Sequence, residues 1–305
     1  MRINISGGLI ETTPNKKVLE SIGDHIDHPN PNPATPRFAA TVMLVRDSKT
    51  NPTKYQITDG EMPEEFPTGQ EIEVFMLRRV KSMAFVPDAV VFPGGRVDDR
   101  DSNPSLPWVG PTPAQWAEYM SVTEDIARRV VVAAAREVFE ECGVLLAGPS
   151  EDSLVNDLSD PTYQDDRAAL VAHELSFADM LIKRGLVLRT DLLGLVSNWC
   201  TPEFEPKRYD TFFFSALMPE GQKADDKTSE SQISDWVTPA YAIRESDRGH
   251  WLVVPPTVYN LTSIASSPSA EEFVSSRRKL QKIMFHPSRK ENGEIVLQCQ
   301  LDKAK

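Results

Sequence analysis

An α+β fold, with helices packed on a mixed β-sheet, follows from two features of the chain. Apolar stretches of strand length alternate with helical ones, and one long amphipathic helix separates an earlier set of strands from a later one. Its 305 residues, 40% of them hydrophobic, can bury one large core or two smaller ones. No internal repeat is visible. The sequence divides into an extended N-terminal arm over 1–36, a main domain over 37–265, and a C-terminal helix and strand over 266–305 that pack on the same domain.

Residues 1–36 are polar and close on Pro29-Asn30-Pro31-Asn32-Pro33-Ala34-Thr35-Pro36, which reads as an extended arm. Arg37 to Val45 alternates into an apolar strand, and Val74 to Leu77 forms another after the polar loop 47–70. Ala89-Val90-Val91 is a short strand leading into Gly94-Gly95. Residues 102–113 carry four prolines and cross the surface. Helices are predicted over Pro113 to Met120 and Glu124 to Leu146; in the second, Val130, Val131, Ala134, Val138 and Leu145 recur at helical spacing and form an apolar back. A loop over 149–164 precedes a single amphipathic helix over Asp165 to Arg184, with Leu170, Leu175, Phe177, Met180 and Leu181 as its apolar positions. Strands follow at Leu192 to Trp199 and Tyr209 to Leu217, the latter with a core run Phe212-Phe213-Phe214. Pro239 to Glu245, Pro256 to Ile264 and Ser269 to Lys282 read as helices, and Ile295 to Gln300 as a late strand.

The chain holds 33 Lys and Arg against 45 Asp and Glu, for a net charge of −12. This argues against nucleic acid or an anionic membrane as a partner, since both require clustered cations. Any polyanionic ligand must therefore be met by a local set of basic residues or by bound metal. Cys142, Cys200 and Cys299 are far apart and lack zinc-type spacing, as expected of reduced thiols in a cytoplasmic protein. No apolar run approaches the ~18 residues of a membrane span, and the first residues lack a signal-peptide apolar region. His25, His28, His173, His250 and His286 show no paired spacing and read as surface residues. Composition leaves the oligomeric state open, a homodimer included.

The most informative segment is Arg136-Glu137-Val138-Phe139-Glu140-Glu141-Cys142-Gly143-Val144. Positions i, i+3 and i+4 of a helix share one face, so Glu137, Glu140 and Glu141 converge, away from the apolar back. Crowded carboxylates repel; either they splay into water or they hold a cation, and hard divalent ions such as Mg²⁺ suit such oxygens. Gly143 is placed to end the helix. Upstream, Phe92-Pro93-Gly94-Gly95-Arg96-Val97-Asp98 follows a strand, and the paired glycines let backbone amides approach a ligand.

Together these segments resemble the signature of the Nudix hydrolases: a glycine, five residues, an acid, seven residues, then Arg-Glu-apolar-any-Glu-Glu-any-Gly-apolar. The second half matches at every fixed position. Asp101 stands where the family usually has Glu, and it lies 35 positions before Arg136 where the family has eight, so 27 residues are inserted. The stretch 75–101, with Trp199-Cys200-Thr201-Pro202, Arg208-Tyr209-Asp210-Thr211-Phe212-Phe213 and Asp235-Trp236-Val237-Thr238-Pro239, is similar to the branch with a split box that includes mammalian peroxisomal coenzyme A diphosphatases.

The resemblance implies a Nudix-type α/β/α sandwich whose helical inserts, at about 102–125 and 149–185, wall a substrate cleft. It implies Mg²⁺ or Mn²⁺ held by Glu137, Glu140 and Glu141, with Asp101 and Glu230 as further carboxylates, and Glu230 corresponding to an acid that some members use as extra ligand or base. Arg136 would orient a box glutamate through its planar fork, or else pair with Glu140 along the surface. Arg78, Arg79 and Lys81 are candidates to meet substrate phosphates, or else a charged strand edge. Arg208, Gly94 and Gly95 complete the candidate substrate contacts.

Three functions are compatible: hydrolysis of coenzyme A or acyl-CoA at its phosphoanhydride; the same chemistry on ADP-ribose, a dinucleotide or a nucleotide sugar; or a non-catalytic module that binds a nucleotide or a protein.

Overall fold

Residues 3–14, 16–48, 72–80, 88–225 and 231–301 are described by the structure, a computed structural model. The elements in chain order are β1 (Ile3–Ser6), β2 (Leu9–Thr12), α1 (Lys16–Asp27), β3 (Arg37–Asp47), β4 (Ile72–Arg79), β5 (Val90–Val91), β6 (Gly94–Arg96), β7 (Trp108–Val109), α2 (Pro113–Met120) and α3 (Glu124–Cys142). They continue with β8 (Ala147–Gly148), α4 (Pro161–Val171), α5 (Phe177–Arg184), β9 (Val187–Arg189), β10 (Gly194–Cys200), β11 (Tyr209–Leu217) and β12 (Ser231–Val237). The chain ends with α6 (Pro239–Asp247), α7 (Pro255–Ala265), α8 (Ala270–Ser275), β13 (Lys282–Met284), β14 (His286–Arg289) and β15 (Ile295–Gln300).

The main sheet is mixed, ordered β12-β4-β3-β11-β10-β13. β3 runs parallel to β11 along its length, while β4 is antiparallel to both β3 and β12. The β3–β4 pairing covers three positions, Val45 with Val74, Arg46 with Glu73 and Asp47 with Ile72. Beyond them the strands fork. β5 pairs with β4 and β6 with β3, so the Gly94-Gly95 turn sits inside the fork.

Side chains alternate across a strand, and β3 and β11 divide accordingly. Val42, Leu44, Phe212 and Phe214 face α3, packing on Val130, Val131, Ala134 and Val138. Met43, Val45 and Phe213 face the other way, toward Tyr241 of α6 and Val258, Leu261 and Ile264 of α7. This is a helix–sheet–helix sandwich. The chain departs from a simple sandwich behind α3, where Val132, Ala135 and Phe139 pack against α4, α5 and the small sheet β7-β9-β8. α3 is therefore covered on two sides, and its acidic end is not the solvated face that an apolar back alone implies.

Three expectations need correction. Residues 1–36 are not an extended arm throughout: β1 and β2 form a hairpin whose second strand pairs with β15, α1 follows, and Ile10 and Ile22 are fully buried. Among the described residues of this stretch, 28–36 form the longest run without helix or strand. The helix expected over Asp165 to Arg184 is two helices, because His173 takes a left-handed backbone (φ 61°) and the Ser176 side chain caps a new helix by accepting from Asp179 N. The helix expected over Ser269 to Lys282 stops at Ser275, and Lys282–Met284 instead pairs with β10. None of the helices among the described residues is long and apolar enough to cross a membrane.

If the hairpin is part of the core, Ile10→Ala should cost about 2–4 kcal/mol, the range for emptying a buried aliphatic site, in a urea or guanidinium titration. Ile5→Ala, at a half-exposed position, is the control and should shift the midpoint little.

Candidate active site

α3 is fixed at both ends. Thr123 caps its start by accepting from Ile126 N, and Glu124 and Asp125 complement the positive end of the helix dipole. Gly143 ends it in the left-handed conformation (φ 68°), with its N–H donating to Phe139 O. The last turns carry Arg136, Glu137, Glu140 and Glu141 into the fork of the main sheet.

Arg136 is buried and all five of its N–H groups find acceptors. Its Nε and Nη2 donate to the two oxygens of Asp101 at 2.9 and 3.2 Å. Nη1 donates to Glu137 Oε1 at 2.8 Å and Glu140 Oε2 at 3.1 Å, and Nη2 also reaches Arg96 O at 3.0 Å. One guanidinium thus ties together the glycine turn, two box glutamates and the acid before the insert. Burial works to lower the Arg136 pKa, but the surrounding carboxylates of Glu137 and Asp101 raise it further, so it stays charged.

Asp101 belongs to this centre despite the insert. It lies in a short 3₁₀ turn, Asp99–Ser102, is 1% exposed, and also accepts from Asp98 N at 2.8 Å. Both its oxygens are engaged by protein donors, and the structure brings it onto Arg136. Burial pushes its carboxyl up against the opposing pull of Arg136.

The glycines serve the glutamates. A Cβ on Gly95 would stand 2.5 Å from Glu137 Oε1, and one on Gly94 would stand 2.5 Å from Ala40 O. Gly94 N donates to Glu141 Oε2 at 2.7 Å. The two glycines therefore do not offer themselves to a ligand as expected: one amide is given to Glu141, and the room beside Gly95 is taken by Glu137.

The three glutamates share one end of α3, yet they are drawn to two donors, Glu137 and Glu140 to Arg136 and Glu141 to Gly94 N, because a buried carboxylate needs one. Among the described residues no three His, Cys, Asp or Glu side chains are grouped closely enough to hold a metal ion in this arrangement. The donor set nonetheless fits a hard cation. Glu140 Oε1 is buried without a hydrogen-bond partner, and burial pushes the carboxyls of Glu137 and Glu140 up despite Arg136. An uncompensated oxygen among desolvated carboxylates is the chemistry that a divalent ion satisfies.

The other candidates are dispersed. Arg78 Nε binds Asp88 Oδ1 at 2.9 Å, beside the fork. Arg208 is not at the site: it is buried, donating to Thr201 O at 3.0 Å and Ala34 O at 2.9 Å, with Nη2 against Met284 Sδ. It pins the end of the arm and β13 to the sheet corner, where backbone carbonyls supply its partners. Lys81 and Glu230 lie outside the described residues.

A residue absent from the candidates is Arg167 of α4. It is 2% exposed, donates from Nε to Glu140 O at 2.9 Å and pairs through Nη1 with Asp225 at 2.6 Å. α3 has no basic residue in its own last turn, so Arg167 supplies the cation at its negative end from another helix. Its signal was present in the sequence: Arg167 and Leu170 are three apart and share the apolar face.

Residues 109–264 match the family model of the NUDT19 Nudix domain, a little over half the chain. The chain belongs to the Nudix family. It is 27% identical over 192 residues to a putative Nudix hydrolase 7 of Caenorhabditis elegans, covering 63% of this chain and 55% of that protein. It is 24% identical over 265 residues to the acyl-coenzyme A diphosphatase NUDT19 of Xenopus laevis, covering 74% of this chain and 68% of that protein. The fold matches a Nudix hydrolase from Alicyclobacillus acidocaldarius with TM-score 0.61 and 25% identity, over 81% of this chain and 98% of that one. The family match begins after the glycine turn, so this Nudix chain carries its insert between Asp101 and Arg136 partly inside and partly ahead of the matched region.

Because Asp101 accepts two of the five Arg136 hydrogen bonds, Asp101→Asn should destabilise the fold by about 2 kcal/mol, the scale for a hydrogen bond to a charged group. Chemical denaturation measures this; a midpoint equal to wild type would mean that Arg136 does not depend on Asp101.

Proposed function

We propose that this Nudix chain hydrolyses the phosphoanhydride of a nucleoside diphosphate derivative in a metal-dependent reaction, with coenzyme A or an acyl-CoA as substrate. The observation that carries the reading is the gathering of Glu137, Glu140 and Glu141 around the Gly94-Gly95 turn and the Arg136 fork. The substrate class is supported by the relatives named acyl-coenzyme A diphosphatase, of which the chain covers 68% in Xenopus laevis and 66% in Gallus gallus.

Nudix hydrolases generally use divalent metals, and Glu137, Glu140 and Glu141 would hold Mg²⁺ or Mn²⁺ here. The ion supplies Lewis acidity, screening the charge on the diphosphate so that a second anion can approach it. The chain's own part is orientation and proton transfer. Arg136 holds Glu137 and Glu140 in fixed rotamers through a planar fork that cannot lose its proton. Gly94 N–H fixes Glu141. A buried glutamate whose proton affinity is raised is suited to take a proton from the attacking water, and one of the box glutamates performs this step. Water adds to one phosphorus, the bridging oxygen leaves with the other, and two phosphorylated products result.

Incubation of the pure protein with Mg²⁺ and a panel of coenzyme A, acyl-CoA, ADP-ribose, dinucleotides and nucleotide sugars, followed by mass identification of products, tests the reading. Cleavage of coenzyme A into two phosphorylated fragments is expected. Glu140→Gln should lower kcat on the order of 100-fold or more while leaving the unfolding midpoint near wild type. Undiminished turnover in that variant at saturating Mg²⁺ would refute the role of Glu140.

A further inference from the structure

The turn between α4 and α5 carries a feature that the reaction as described does not use. His173 follows the last turn of α4 with its N–H donating to Leu170 O, and the next residue's N–H reaches back to Ala169 O. Its φ is 61°, a conformation that glycine adopts without cost and a side chain-bearing residue pays for. Nothing about the turn itself requires an imidazole.

The ring is nevertheless held. Nδ1 of His173 is hydrogen-bonded to Nη2 of Arg100. Arg100 is itself fixed: its Nε and Nη2 bind the two oxygens of Asp98 at 3.0 Å each, and Nη1 donates to Leu175 O at 3.1 Å. The Arg100 hydrogen bond keeps the Asp98 carboxyl well below the usual carboxylate range, so this anchor stays charged. Asp98 caps the turn that carries Asp101, and Asp101 holds Arg136. His173 is therefore tied through four side chains to the box glutamates, and it lies near enough to Glu140 to act on it electrostatically.

A guanidinium only donates, so in the neutral ring Nδ1 accepts from Arg100, with Asp98 Oδ2 3.7 Å away, and the ring proton resides on Nε2. The imidazole is 68% exposed. The result is an oriented N–H donor, set on the insert wall beside the acidic floor, with its tautomer fixed from behind.

We propose that His173 is a substrate-binding residue, whose Nε2–H donates to an oxyanion of the diphosphate group as it lies on the box glutamates. The inference rests on the hydrolase reading and adds a hydrogen-bond donor that the ionised glutamates of the floor lack. Arg100 acts through His173 as a positioning residue; its own donors are already engaged.

His173→Gly tests this without loss of the fold, since glycine suits the backbone there. The KM for coenzyme A should rise about tenfold, the worth of one hydrogen bond to a charged group in partly exposed surroundings, with kcat changed by less than about twofold. His173→Gln, which keeps an N–H donor of similar reach, should recover part of the loss. A readout independent of turnover is the imidazole NMR spectrum of the full chain with Mg²⁺ and methylene diphosphonate, a diphosphate that cannot be hydrolysed. The His173 resonance, identified by its absence in His173→Gly, should shift on titration. An unmoved resonance, or a wild-type KM in His173→Gly, overturns the proposal. Should wild type leave coenzyme A intact, the substrate reading fails, and the diphosphonate shift alone decides for or against His173.

Discussion

The site is organised by one buried cation. Arg136 gives its five N–H groups to Asp101, Glu137, Glu140 and the Arg96 carbonyl, which belong to three different pieces of the site. A planar guanidinium fixes distance and angle together, so the glycine turn, the 3₁₀ turn and the end of α3 are set against one another by a single group. Lysine at this position would deliver a point charge with three donors and could not define the same geometry.

That organisation explains how the motif survives interruption. The 27 residues inserted between Asp101 and Arg136 separate the two in sequence, but loop closure grows only logarithmically with length, a penalty of about 1 kcal/mol that one buried ion pair can offset. The insert is also not idle chain. It carries α2, whose Trp116 and Met120 bury against α3, while α4, α5 and the small sheet cover the opposite side of that helix. Desolvating α3 on two sides converts an ordinary acidic stripe into a set of carboxylates with raised proton affinity.

What the sequence disclosed follows from the range of the interactions involved. The box was legible because its information is local: an i, i+3, i+4 carboxylate pattern, a glycine cap and an apolar back all lie within one helix. Pro113–Met120, Tyr209–Leu217 and Ile295–Gln300 were legible for the same reason, each being a short periodic run with clear breakers. The N-terminal hairpin was not, because what makes β2 a strand is β15, at the other end of the chain, where Ile10 meets Cys299. Arg208 was misjudged because a cation beside an aromatic strand looks the same in sequence whether it meets phosphate or backbone carbonyls. Asp101 could be found by counting but not assigned, since its bond to Arg136 depends on how the insert folds. The break at His173 had no sequence signal stronger than the apolar spacing that runs through it.

The charge on the site carries the last step. Asp101, Glu137 and Glu140 contact one guanidinium, and Glu141 turns to a backbone amide. With all four ionised, these side chains hold three more negative charges than positive, in surroundings where Glu137 and Glu141 are less than one-tenth exposed. A protein can relieve such an excess by protonating the carboxylates, and burial does push Glu137, Glu140 and Asp101 in that direction. The alternative is a compact divalent cation, which offsets two of the three excess charges while leaving the oxygens ionised. The second route gives the excess charge a use: the same ion that offsets the charge of the glutamates can share its field with a diphosphate, whose own negative charge an acidic chain would otherwise repel. A net charge of −12 and an anionic diphosphate are reconciled where cations held on the floor of the site offset its excess charge, and four carboxylates of which three share one arginine are an arrangement that draws such cations.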